Sequence, residues 1–389
     1  MNETAKGKKI LVVCGILHGH FTTSVEVIRE LVSLGYDVTC YVNEEFAPRL
    51  EVENIKKVVY SDDVSEMKAA IPPNAPPFAL NACRVGKATD MVMSLILEEK
   101  TQYDYYIFDL FFELDEMNKV MKLDPEKLIS LYVSYALTDV DQNDPRRAFG
   151  LIPTNRKYNI NLVDFVGHIY CPSPFKKLIP CSRYFHLRAE DVDDTCYFIG
   201  TNIENRQFDP NFSFKKDADK KLLYVSLGTI FGKDVEFYFN CIEAFRNSDE
   251  YQVLMSVGRT VNIAETFRDI PENFTILNYV PQTQLLPDVD VFITHAGYNS
   301  TTEAMTAGVP LVMVPQSVDQ FDVAKVAQNL NAGIELNKNE ISITSDIIKK
   351  AVEDAYANRE TFKKNMAAIV ESLAEARNKR PEIFAEIFA

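Results

Sequence analysis

The densest run of polar chemistry in the chain is His295-Ala296-Gly297-Tyr298-Asn299-Ser300-Thr301-Thr302-Glu303. It follows the apolar run Val291–Thr294 and precedes Ala304–Ala307, so a glycine turn and small polar residues stand where a strand passes into a helix. The first turn of a helix leaves N–H groups without intrahelical partners, and the macrodipole makes that end positive, which suits a phosphate. His295 adds a further donor. The same spacing fits an ordinary capping box between Ser300 and Glu303 with Asn299 as a cap, and residue types alone leave both readings open. Gly228-Thr229, behind the run Leu222–Val225, is a second and weaker phosphate cradle. Asp288 and Asp290 have the form of a metal-diphosphate pair, but their place just before a strand is one where solvated turn carboxylates are common.

His18 and His20 lie behind another apolar run, and an imidazole titrating near neutrality suits a general base. Asp109 ends the run Tyr105–Phe108 and can orient and stabilise such an imidazolium. Other chemistries lack their signatures. Gly15 and Gly19 are followed by no glycine until Gly35, which is not the G-x-G-x-x-G of a nicotinamide oxidoreductase. No G-x-S-x-G elbow supports a serine hydrolase.

The elements that must position these groups alternate in type. Ile10–Cys14 reads as a strand, Val25, Ile28 and Val32 fall at helical spacing before Gly35, and Val38, Cys40 and Val42 read as a second strand. Such a βαβ unit builds a parallel sheet whose ligands sit at the carboxyl ends of strands. Tyr105–Phe108 and Leu128–Tyr132 continue the series, and Ala69–Pro77 is a proline-rich loop. The polar, aperiodic stretch Asn205–Lys221 is the linker candidate. Beyond it a second series opens, with strands at Leu222–Val225, Gln252–Val257 and Val291–Thr294, a helix at Val235–Phe245, and a strongly helical end at Ile347–Phe388. The fold class is therefore α/β, with two facing doubly wound domains.

Composition narrows the function. The 389 residues are 47% apolar and 25% charged, as in a globular chain long enough for more than one domain. A net charge of −15 repels nucleic acid and anionic membrane surfaces. The 7 cysteines form no C-x-x-C pair and there are only 5 histidines, so a reducing cytoplasm is the expected compartment and no metal cluster is visible. The run Ile10–Leu17 is too short to span a membrane and lacks a cleavage region, so neither a targeting signal nor stable membrane insertion is expected. The chain has no Trp, and any site needing a large flat ring must use Tyr or Phe.

Together the motifs resemble a known family. Tyr279-Val280-Pro281-Gln282, Phe292 to Glu303, Ala307-Gly308-Val309-Pro310 and Pro315 to Gln320 are similar in order and spacing to the nucleotide-sugar signature of family 1 UDP-glycosyltransferases. Val13–His20, Tyr197–Gly200, Tyr224–Thr229 and Met255–Gly258 extend the resemblance to bacterial macrolide-type members over nearly the full chain, most weakly at Val52–Gln102 and Leu110–Asp194.

That resemblance implies a GT-B fold of two facing Rossmann-like domains: an acceptor domain at 1–204, a linker at 205–221, a nucleotide-sugar domain at 222–370, and a C-terminal helix at 371–389 crossing back. It implies inverting, metal-independent transfer of a hexose, glucose from UDP-glucose, with His20 as base, Asp109 as its support and His18 as the close alternative. Tyr279 takes the uracil-stacking place, with Val280 on the base and Gln282 and Glu303 near the ribose. Thr229, His295, Gly297, Asn299, Ser300 and Thr301 match the diphosphate cradle, Ser256 touches the nucleotide, and Asp319 and Gln320 grip sugar hydroxyls. Thr22-Thr23 replace the usual Asn-Pro, so the sugar contact of that turn falls to Thr22, and Tyr279 replaces the frequent Trp. Phe21, Phe78, Phe111 and Phe112 point to an apolar or aromatic hydroxyl acceptor. The partners implied are thus a UDP-sugar and a small molecule, with no cofactor beyond the co-substrate. An epimerase or hydrolase on the same fold, or a non-catalytic nucleotide-sugar-binding protein, are the rival readings.

Overall fold

The computed structural model describes residues 7–66, 79–112, 114–136, 175–201, 209–228, 234–316 and 319–389, the side chains of residues 79, 115 and 116 apart. The proline-rich loop at Ala69–Pro77, together with Phe78 and Thr229, lies outside the described residues.

Apolar runs bounded by turns become fully buried strands. Ile10, Leu11, Val12 and Val13 have no exposed surface, each burying a side chain worth about 1.5–3 kcal/mol. They form β1 (Lys9–Val13), the centre of a sheet with β2 (Asp37–Asn43), β3 (Ile55–Tyr60), β4 (Tyr105–Asp109), β5 (Leu128–Leu131), β6 (Lys176–Ile179) and β7 (Cys196–Phe198). Its order is β3-β2-β1-β4-β5-β6-β7, and every pairing is parallel. A second parallel sheet contains β8 (Lys221–Ser226), β9 (Tyr251–Ser256), β10 (Phe274–Leu277), β11 (Val291–Thr294), β12 (Leu311–Met313) and β13 (Ile334–Glu335), in the order β10-β9-β8-β11-β12-β13. Both are doubly wound α/β sheets.

The chain divides into two compact units, the first Met1–Arg183, Arg188–Thr201 and Leu373–Ala389, the second Tyr184–Leu187 and Asn202–Ser372. The expected linker behaves differently over its described part. Asp209 N–H donates to Gln284 Oε1 at 3.2 Å, Asp217 N–H donates to Gln252 Oε1 at 2.8 Å, and Lys216 Nζ meets Asp290 Oδ2 at 2.6 Å. A polar stretch without periodicity can still be ordered when side chains of a neighbouring sheet satisfy its backbone. Asp290 also accepts from Leu222 N–H at 2.7 Å, at the amino ends of β8 and β11, so its carboxylate is taken up by protein partners. Among the described residues, no group of three or more His, Cys, Asp and Glu could hold a metal. None of the described helices is long and apolar enough to cross a membrane.

The helical end is broken into Ser345–Ala357, Arg359–Asn378 and Arg380–Ile387, with Pro381 in the first turn of the last. That last helix packs Phe384, Ile387 and Phe388 into the core of the first unit with Ile10, Val12 and Val38. Arg380, 2% exposed, fixes it there: Nε donates to Ile199 O at 2.7 Å, Nη2 to Gly200 O at 2.8 Å and to Glu26 Oε2 at 3.4 Å. Removing one member of such a group strands the rest. Arg380→Met is expected to destabilise the first unit by about 3 kcal/mol in chemical denaturation, while Lys56→Met, which removes an exposed ion pair of the same unit, should leave it nearly unchanged.

Candidate active site

In each unit the sheet grows in both directions from its first strand, so a crevice opens at the carboxyl ends of β1 and β4, and of β8 and β11. His20 with Asp109 lies at the first of these places, and His295 with the helix start behind it at the second.

In the first unit, β1 passes through Gly15 into a helix over His18–Ser33, and β4 ends on Asp109. His20 Nδ1 lies 2.8 Å from Asp109 Oδ2, the two side chains being 11% and 1% exposed. A carboxylate only accepts, so Nδ1 carries the proton and Nε2 keeps the lone pair of a base. Asp109 Oδ1 accepts from Phe111 N–H at 3.1 Å, and the Phe111 ring stacks on His20 at 4.0 Å and 18°. Imidazole and carboxylate thus each have a second fixed partner. Gly15 makes the approach possible: a Cβ there would lie 2.3 Å from His20 Cβ and 2.6 Å from Asp109 Oδ2.

The structure separates the two histidines. His18 is exposed and meets the edge of Phe46 at 6.4 Å. Thr22 Oγ1 donates to His18 O at 2.9 Å, within the helix. The aromatic residues expected at the acceptor are mostly core: Phe21 stacks on Phe46 at 4.7 Å, Phe112 is buried, and Phe111 covers the imidazole face.

In the second unit β11 ends at Thr294, His295 follows it, and Ala296, at φ 61°, turns the chain so that Gly297 caps the helix Tyr298–Ala307 without a side-chain hydrogen bond. The Ser300–Glu303 capping box does not form. Glu303 accepts from Gln282 Nε2 at 2.5 Å, which ties the residue after the Tyr279 turn to the helix. Asn299 and Ser300 lie in the helix's first turn, where N–H groups face out of its end. Thr301 departs from expectation: its side chain is fully buried and its N–H donates to Gly297 O at 2.9 Å, so it packs inward.

The His295 ring is wedged between two glycines. A Cβ on Gly228 would come within 2.7 Å of it, and one on Gly297 within 2.4 Å. Burial pushes its pKa down to about 4, against the opposing pull of the Ser226 backbone, so at neutral pH His295 is an uncharged N–H donor.

Around this crevice stand the other expected residues. Ser256 ends β9 beside Ser226 of β8. Val280 is buried, while Tyr279 is 40% exposed after β10, with the Arg259 guanidinium 5.1 Å over its ring. Asn278 Nδ2 donates to Gly258 O at 2.8 Å and Val261 O at 2.7 Å, holding the Arg259 turn against the Tyr279 turn. Arg259 was not singled out from sequence, although its place directly behind a strand was a usable signal. Asp319 and Gln320 open the helix Asp319–Asn329 after β12, and Gln320 Oε1 accepts from Gln316 N–H at 2.9 Å.

Residues 253–387 match the family model "Erythromycin biosynthesis protein CIII-like, C-terminal domain". The chain is 31% identical over 386 residues to the NDP-glycosyltransferase YjiC of Bacillus subtilis (strain 168), covering 94% of each chain. It belongs to the bacterial family 1 glycosyltransferases. The oleandomycin glycosyltransferase of Streptomyces antibioticus is a further relative, 25% identical with 86% of this chain and 80% of that one covered. The crystal structure of the kitacinnamycin glycotransferase shares the fold at a TM-score of 0.77 and 21% identity, over 99% of this chain and 100% of that one. The calicheamicin glycosyltransferase CalG4 does so at 0.67 and 20%, over 98% and 99%. The fold of this glycosyltransferase is therefore GT-B.

For this glycosyltransferase, His295 has a consequence that needs no substrate to observe. Unfolded, it takes up a proton near pH 6.5, whereas folded it does so only at about 4. The unfolded chain binds the proton first, so His295 subtracts stability as pH falls from 6.5 toward 4. His295→Gln, which keeps a neutral donor, should flatten that part of the pH–stability curve measured by urea denaturation. An unchanged slope would show that another group causes it.

Proposed function

We propose that this glycosyltransferase moves glucose from UDP-glucose to a hydroxyl of a small apolar or aromatic acceptor, with inversion and without a metal. The observation that carries the reading is the His20–Asp109 contact of 2.8 Å at the carboxyl ends of β1 and β4. His20 Nε2 takes the proton of the acceptor hydroxyl, and the oxygen attacks the anomeric carbon on the face opposite the diphosphate. The anomeric C–O bond breaks and its electron pair leaves with UDP. Asp109 holds the imidazole in the required tautomer and offsets the charge that arrives with the proton.

Negative charge grows on the departing diphosphate, where fixed donors lower the barrier most. The N–H groups at Gly297–Ser300 are such donors, and His295, Thr229, Ser256 and Thr22 are assigned to the same co-substrate on the strength of the sequence resemblance. Tyr279 stacks the uracil on the ring face away from Arg259, with Val280, Gln282 and Glu303 beside base and ribose. Asp319 and Gln320 hold sugar hydroxyls. The likeness to an NDP-glycosyltransferase and to an oleandomycin glycosyltransferase supports a nucleotide-sugar donor and a small-molecule acceptor.

His20→Ala should lower turnover by roughly 10²–10⁴-fold, the usual worth of a general base, with UDP affinity by calorimetry unchanged. A UDP-release assay against phenols, macrolides and sterols measures it, and turnover close to wild type would transfer the base role to His18. Tyr279→Ala should raise the donor KM roughly ten- to hundred-fold, since a stacked base is worth about 1–3 kcal/mol, and Tyr279→Trp should be tolerated. Equal KM values for all three proteins would remove Tyr279 from the nucleobase site.

A further inference from the structure

The turn after β12 carries a hydrogen-bond chain that ends outside the motif residues. Gln320 Oε1 accepts from Gln316 N–H at 2.9 Å. The Gln316 side chain is itself held at both ends: Nε2 donates to Val314 O at 2.8 Å, and Oε1 accepts from Lys338 Nζ at 2.8 Å. Gln316 and Gln320 are both buried. Lys338 follows β13, which pairs with β12 through Val312–Ile334 and Met313–Glu335, so the sheet delivers both turns to one edge.

The chemistry of the donors leaves one orientation. An ammonium only donates, so the Gln316 amide must turn its oxygen to Lys338 and its NH2 to the Val314 carbonyl. Gln316 cannot flip without losing both bonds, and its backbone N–H stays aimed at Gln320. That N–H in turn selects the carbonyl end of the Gln320 amide. Burial pushes the Lys338 ammonium below its ordinary pKa, and the charge of Asp234, whose side chain caps the helix Val235–Phe245, opposes that shift.

We propose that Lys338 and Gln316 are positioning residues that lock the Gln320 amide in one orientation and thereby set which hexose the donor site accepts. This rests on the reading that Asp319 and Gln320 hold sugar hydroxyls. Hexoses epimeric at one carbon differ in where a hydroxyl donates and accepts. A side-chain amide free to rotate by half a turn exchanges its donor and acceptor ends and serves both epimers, whereas a locked amide discriminates.

The test is calorimetric binding of UDP-glucose, UDP-galactose and UDP to wild type, Lys338→Met, Lys338→Arg, Gln316→Leu and Gln320→Ala. Lys338→Met should lower the preference between the two UDP-sugars by roughly 5- to 10-fold, the worth of one buried hydrogen bond. UDP itself, which lacks the sugar, should bind within about 2-fold of wild type in every variant. Lys338→Arg, which keeps the donor, should restore the preference, and Gln316→Leu should repeat the Lys338→Met result. If Lys338→Met keeps the wild-type preference while Gln320→Ala loses it, the positioning role is overturned and the sugar-site reading stands. If Gln320→Ala also keeps it, the sugar-site reading itself fails. A loss of UDP affinity in Lys338→Met equal to the loss for UDP-sugars would show a general structural role and overturn the proposal.

Discussion

Parallel strands cannot bind anything along their length when both faces are covered by helices, so chemistry is confined to their carboxyl ends and to the place where the strand order reverses. Here that constraint acts once in each unit. Between β1 and β4 it brings His20 and Asp109, 89 residues apart in the chain, into hydrogen-bond contact. Between β8 and β11 it sets the Gly228 turn against His295 and the helix beginning after Gly297. Close packing at these points is possible because glycine stands where a side chain would collide. The glycines of this chain form no dinucleotide fingerprint, and at these positions they serve to admit an imidazole.

Electrostatics follow from the same arrangement. A chain of net charge −15 has no basic field with which to draw in a diphosphate. What the second unit holds instead is a set of oriented N–H groups at a helix end and an imidazole that burial keeps neutral, with its pKa at about 4. His295 and His20 are therefore different instruments. One is a dry, uncharged donor; the other gives its Nδ1–H to the buried carboxylate of Asp109. Their sequence contexts, each a histidine behind an apolar strand, do not tell them apart. The difference lies in what the fold packs against each ring.

The missing Trp shows how a compositional oddity becomes local structure. Tyr279 stands half exposed after β10, and Arg259 covers one face of its ring. The guanidinium is placed by Asn278, which ties both turns together, so Tyr279 and Arg259 form a pair. A cation over a phenol ring contributes attraction of its own, about 0.5–1 kcal/mol at an exposed site.

Much of the fold was legible in the sequence because strands buried on both faces leave continuous apolar runs. Val291–Thr294 and Val235–Phe245 have the limits read from their residues. β3, β6, β7, β10, β12 and β13 are not visible in the residue pattern because their burial is partial or their length is only a few residues, so no period shows. The capping box at Ser300 and the metal-like pair at Asp288 and Asp290 were plausible by spacing. They fell only when the structure supplied Gly297 as the cap and Lys216 as the partner of Asp290. Sequence alone determined the α/β class, the family and the residue types at the site, since these are carried by local patterns and motif order. Only the tertiary structure decided that His20 and not His18 meets Asp109, that Thr301 points inward, that His295 is neutral, that Arg259 lies over Tyr279, and that Lys338 and Gln316 join Gln320 in one hydrogen-bond chain. Each of those depends on contacts between residues far apart in the chain, and on burial, which no local pattern encodes.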